Sequence, residues 1–230
     1  MIQNSEIRAI AREKLEGNWG DAALVTLVLF VCAMVLSSAF QYGGVFMFKP
    51  LGHDMSGVAG QGTSLIGTCV YLPIAFAYSV MMLGLIRGEK MAVSGLFNYY
   101  NGKVFITMLL KYIYTILWAL LFIIPGIIKG YSYAMTEFIM KDDPYIEGNK
   151  AIEASMVMMK GNKMRLFLLD LSFIGWIILS FLTMGLGFIL LEPYMMAARA
   201  AFYEDLKAEF QPTNAEEQSE ETKSGYVKEY

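Results

Sequence analysis

The chain has 230 residues, of which 56% are hydrophobic and only 17% charged, against about 25% charged in an average soluble domain. With a mean hydropathy of +0.47, it carries more apolar surface than one globule of this size can hide, so lipid is the expected solvent. A net charge of −3 lacks the basic footprint of a nucleic-acid binder, and no nucleic-acid partner is expected.

The chain opens on an amphipathic stretch, Asn4 to Glu16, with Ile7, Ile10, Ala11 and Leu15 at helical spacing, closed by Gly17-Asn18-Trp19. The first apolar run follows at about 21–42. It is longer than the hydrophobic region of a secretory signal, and the segment before it mixes Glu6, Glu13 and Glu16 with Arg8, Arg12 and Lys14, so a retained helix is expected. The second run, about 64–87, comes after a Gly-rich loop that holds the only histidine, His53. One histidine beside Asp54 is no metal site, since three or four ligands are needed. Cys32 and Cys69 both lie in apolar runs and read as small buried hydrophobes.

A short element, Ser94 to Asn101, precedes Gly102-Lys103 and the third run, about 103–124. The stretch 125–141 is only about 17 residues long and contains Lys129 and Glu137, so it is either a short crossing or an interfacial helix. Beyond it, Asp143 and Pro144 have the residue types of a helix cap and first position, and Ile152, Ser155, Met156 and Met159 would line one face of a helix over 144–160. That helix would stop at Gly161-Asn162-Lys163. The apolar stretch 165–206 is too long for one crossing and divides at Met184-Gly185-Leu186-Gly187 into 165–184 and 186–206. The remaining 207–230 is polar and acidic, and its composition predicts disorder.

Basic residues decide the topology, because cytoplasmic loops collect Lys and Arg. Residues 1–20, 87–103 and 141–165 are rich in them; 43–63 and the corners at Pro125 and Met184 are poor. The rich connections fall on one side only if 125–141 crosses. The fold expected is therefore an all-α polytopic bundle of about six membrane helices, with both termini cytoplasmic and short amphipathic in-plane helices on that side. Each inward loop reads as a short helix, a glycine and then a span, which suggests a threefold internal repeat; any interfacial helix placed before a span would look similar.

Ionisable residues inside a membrane are costly and point to function by default. Lys111, Glu137, Asp170 and Arg199 fall on four different expected helices, each about 6–12 Å from the cytoplasmic end of its own helix. Two are positive and two negative. They form the candidate site, an intramembrane polar cluster facing the bundle interior; the alternative is snorkelling or plain structural pairing. Glu192, beside Pro193, is placed to meet Lys129 at the outer corner, or to be a carboxylate at a simple kink. Asp142-Asp143 reads as capping. No phosphate-cradling loop, metal cluster or nucleophile motif is present, so neither enzymatic activity nor a cofactor is expected.

Several strings resemble a known bacterial family: Ile-Pro-Gly-Ile-Ile at 124–128, Lys-Asp-Asp-Pro at 141–144, Met-Lys-Gly-Asn-Lys at 159–163, Leu-Ser-Phe-Ile-Gly-Trp at 171–176, Glu-Pro-Tyr at 192–194 and Phe-Tyr-Glu-Asp-Leu at 202–206. Leu-Glu-Gly-Asn-Trp-Gly at 15–20 adds to the likeness. The family is the one catalogued as domain of unknown function 975, common in Gram-positive bacteria. The resemblance implies a multi-span protein of the cell membrane; it implies no activity and carries over no functional residue. Two function classes stay open: a transporter-like or permease-like component, and a non-catalytic scaffold or envelope-stress and assembly factor. Partners expected are the lipid bilayer and a membrane or cytoplasmic protein.

Overall fold

Among the described residues, every regular element is helical. The computed structural model describes the backbone of residues 2–48 and 56–226, and the side chains of 2–36, 38–39, 67 and 70–210. His53 and the side chain of Cys69 lie outside these. The helices are α1 (Asn4–Leu15), α2 (Trp19–Phe48), α3 (Ser56–Ile86), α4 (Gly102–Leu121), α5 (Ile123–Ser132), α6 (Thr136–Asp142), α7 (Gly148–Met158), α8 (Lys163–Leu171), α9 (Ile174–Leu182) and α10 (Phe188–Tyr226), with a 3₁₀ turn at Val93–Phe97.

Three stretches are long and apolar enough to cross a membrane: Trp19–Leu36, Gly102–Leu121 and Lys163–Leu182. Only 22%, 17% and 22% of these windows are buried inside the protein. Their apolar side chains therefore face outward, and in water that arrangement would forfeit most of the stabilisation that burial provides. The third stretch is α8 and α9 in line, interrupted at Ser172-Phe173; the expected span 125–141 is likewise α5 and α6, interrupted at Tyr133–Met135.

α3 and α10 are the central helices: α10 is in contact with α1, α2, α3, α8 and α9, and α3 with α1, α2, α4, α6 and α10. Ile7, Ala11 and Leu15 are fully buried. The apolar stripe of α1 is thus packed on the bundle, against α10 and α3. The Glu6 carboxylate accepts the Gln3 N–H at 2.9 Å and closes the first turn of α1. Inside the first hairpin, the hydroxyls of Thr26 on α2 and Tyr78 on α3 meet at 3.0 Å.

The second and third hairpins close tightly in the same way. A Cβ on Gly126 would lie 2.6 Å from the Ala119 Cα, and a Cβ on Gly187 would lie 2.8 Å from the Ser180 Cα. In both, the glycine contacts the helix residue seven positions earlier. Where α1 meets α2 and α7 meets α8, Gly17 and Gly161 take left-handed φ values of 84° and 87°, the conformation that lets a chain leave one helix and enter another at an angle. The second unit departs from this pattern. Gly102 is the first residue of α4, and Asn101 caps that helix by accepting the Val104 N–H at 2.8 Å.

Two boundaries differ from those expected. α7 begins at Gly148, not at Pro144; Asp143 does make the bonds of a cap, accepting the N–H groups of Tyr145 and Ile146 at 2.9 and 3.1 Å, but they close a turn ahead of the helix. Helical backbone also continues from α10 through Tyr226, across the stretch whose composition predicts disorder.

Candidate functional site

Lys111 projects from the middle of α4 and donates to the Glu137 carboxylate at 2.5 Å. Glu137 lies in the first turn of α6, where the helix dipole favours an anion. The side chains are 21% and 16% exposed. Glu137 is there because the chain has just broken its helix at Tyr133–Met135, and the break is made good from outside. Ser155 on α7 accepts the Met135 N–H at 3.1 Å and donates to the Ser132 carbonyl at 2.9 Å. Thr136 donates to the Tyr133 carbonyl at 2.8 Å. Gly148, at the start of α7, sits so close to α4 that a Cβ would come within 2.4 Å of the Thr107 hydroxyl. So α7 plugs one helix and leans on another, with Ile152, Ser155 and Met159 buried as its spacing predicted.

Asp170 stands on α8 just before the second interruption. Arg199 of α10 grips it with both arms, Nε to Oδ1 at 3.1 Å and Nη2 to Oδ2 at 2.8 Å. The Tyr131 hydroxyl of α5 donates to Oδ2 at 3.1 Å. A cavity of about 430 Å³ beside this pair is lined by Arg199, Tyr131, Thr115, Gly126 and Gly130, among others.

The four candidate residues therefore meet as two ion pairs, one joining α4 to α6 and the other joining α8 to α10. Glu192 and Lys129 do not form the corner pair the sequence suggested. Lys129 lies over the Trp118 ring, 4.8 Å from its centroid, a stacking that desolvation strengthens. Glu192 is instead within electrostatic range of Arg199 and Asp170.

A second polar centre escaped the sequence reading. Asp142 is more than a capping residue: its carboxylate receives two bonds from Arg87, at 2.6 and 3.0 Å, one from the Tyr203 hydroxyl at 2.7 Å and one from Lys207 at 2.5 Å. Arg87 also reaches Glu204 at 2.7 Å. Burial alone would raise the Asp142 carboxyl, but the bonds from Arg87, Lys207 and Tyr203 outweigh it and hold the pKa at about 2. This network ties the C-terminal ends of α3 and α6 to the middle of α10. Close by, Arg165 pairs with Asp205 and with the Ile2 carbonyl, the Ile2 N–H reaches Asp205 at 3.2 Å, and Asn4 bonds the Arg165 carbonyl at 3.1 Å. The N-terminus is thereby fastened to α8 and α10.

Among the described residues, no group of three or more His, Cys, Asp or Glu side chains stands close enough to hold a metal ion. A family model described as "Protein of unknown function (DUF975)" matches residues 1–129 and 120–209. The chain belongs to this family. In this DUF975 member, the strings that carried the resemblance supply polar contacts: Asp142 and Asp143 come from 141–144, and Tyr203, Glu204 and Asp205 from 202–206. No curated protein matches the chain, and no solved structure matches it.

Proposed function

We propose that the chain is a six-crossing protein of the cell membrane with both termini cytoplasmic, and that it works as a non-catalytic scaffold for a membrane or cytoplasmic partner. The six crossings are supported by helix at every expected stretch: α2, α3, α4, α5 with α6, α8 with α9, and α10. A helix of 20 residues such as α4 is about 30 Å long, which equals the hydrocarbon core. That length accounts for the apolar tips of the shorter hairpins, where Ile123 is 76% and Met184 95% exposed. These tips end at the far edge of the hydrocarbon and need no polar residues.

The observation that carries the scaffold reading is how the interior charges are used. Lys111, Glu137, Asp170 and Arg199 are each taken up by a partner, which makes these four charges suited to holding helices in place. A permease-like component is the second reading. It is favoured by the helix interruptions beside Glu137 and Asp170, since discontinuous helices build many transport sites, and by the cavity against Arg199.

Thiol accessibility separates the two. In a chain with Cys32 and Cys69 replaced by alanine, cysteines are placed at Thr115 and Ala134, both of which line that cavity. The scaffold reading expects neither to react with a membrane-impermeant thiol reagent from either side. Labelling from both sides would replace it with the permease reading. Co-purification in mild detergent adds a second discriminator, an ATPase partner favouring transport and an assembly factor favouring the scaffold.

A further inference from the structure

The chain has five arginines, at 8, 12, 87, 165 and 199. Arg87, Arg165 and Arg199 are all in ion pairs. Arg8 and Arg12 are in none among the described residues, and the buried Nε of Arg8 has no hydrogen-bond partner. They lie one turn apart on α1, where like charges repel. A small cavity of about 180 Å³ is lined by Ser5, Arg8, Arg12, Trp176 and Tyr194, among others. The Tyr194 hydroxyl donates to the Arg8 carbonyl at 3.3 Å and holds α1 over this spot.

Arg12, Trp176 and Tyr194 also line a second, larger groove of about 690 Å³. From Trp19 and Tyr194 it follows the hairpin of α9 and α10 past Leu179 and Leu190 to Thr183 and Gly187. The seven steps from Gly187 to Tyr194 amount to about 10 Å at the helical rise. The walls are almost wholly apolar, and Trp176, Leu179 and Leu190 at the rim are about half exposed. A basic pocket thus opens into an apolar slot, with two tryptophans and a tyrosine close to the junction.

We infer that this composite site binds one phospholipid with an anionic headgroup, its phosphate at Arg8 and Arg12 and one acyl chain along α9 and α10. The inference rests on the membrane reading above. Guanidinium groups match phosphate oxygens in geometry as well as charge, and the unpartnered charge on α1 is the complement the headgroup supplies.

The test uses the full-length protein, delipidated in mild detergent and then offered phosphatidylglycerol or phosphatidylcholine of identical chains, with bound lipid counted by native mass spectrometry. Phosphatidylglycerol should be retained in preference, by about fivefold per arginine. Arg8→Gln with Arg12→Gln should abolish the preference. Leu190→Trp, which fills the slot and leaves both arginines in place, should lower retention of either lipid. Millimolar inorganic phosphate should displace little, because it lacks the chain. Equal retention of the two lipids by the wild-type protein would overturn the inference even if the double variant failed to fold. So would displacement by phosphate alone, which would mark a plain anion site. The underlying membrane reading fails by a different sign: a chain that stays monodisperse without any amphiphile.

Discussion

In the interior, Lys111–Glu137 ties one helix to one other, and Asp170 is held by Arg199 with the Tyr131 hydroxyl beside it. At the base of the bundle, Asp142 collects Arg87, Tyr203 and Lys207 at once, and Arg87 passes the connection on to Glu204. The interior pairs stand among mostly apolar neighbours, so a charge that loses its partner has few polar groups to turn to. The base network shares Asp142 and Arg87 among several partners, so the loss of one contact leaves others. The same chemistry therefore carries different weight in the two regions: high and all-or-none inside, graded at the base.

The largest effect should come from breaking an interior pair. Asp170→Ala strands the Arg199 guanidinium and should cost about 3–5 kcal/mol, whereas Asp170→Leu combined with Arg199→Met should be close to neutral. Thermal unfolding in detergent measures both, and a single variant no worse than the double would erase the distinction between the regions. Ser155→Ala should come next. It leaves the Met135 N–H and the Ser132 carbonyl without their partner, and stability should fall by up to about 3 kcal/mol.

At the base, the Asp142 carboxyl sits at about 2, below the usual value of 3.8. A depressed carboxyl gives stability that is complete above its unfolded value and is lost as pH falls through its folded one. The contribution is about 2 kcal/mol. The unfolding midpoint should therefore be level with respect to this group above about pH 5 and should drop between about pH 4 and pH 2. Asp142→Asn should flatten that drop; an acid limb unchanged in this variant would assign it to other carboxylates. The smallest effect is expected outside both regions, at the Lys150–Glu147 pair, whose side chains are 66% and 73% exposed. Lys150→Ala should shift stability by less than about 0.5 kcal/mol.

How much of this could be read in advance follows from the same contrast. A charge within an apolar run is conspicuous whatever it pairs with, so all four interior residues could be named from the sequence. Their division into two pairs could not, because it depends on how far each helix is rotated about its axis. The base network joins Arg87 to residues 55 and 117 positions away, and each of its members is ordinary for a loop or a helix end. The apolar runs announced the helices, and nothing at Tyr133-Ala134-Met135 announced an interruption. That break exists because Ser155, from another helix, offers the hydrogen bonds the backbone gives up. Similarly, Gly102 looked like a third left-handed turn until Asn101 proved to be the cap.

The account depends most on the direction in which the helices thread the bilayer, and reporter fusions in living cells test that directly. An alkaline-phosphatase-type reporter joined after Gly187 should be active, and one joined after Asn162 silent, with a fluorescent reporter giving the opposite pattern. A silent phosphatase after Gly187 together with a bright fluorescent fusion there would place the Met184 corner in the cytoplasm and contradict the six-crossing arrangement.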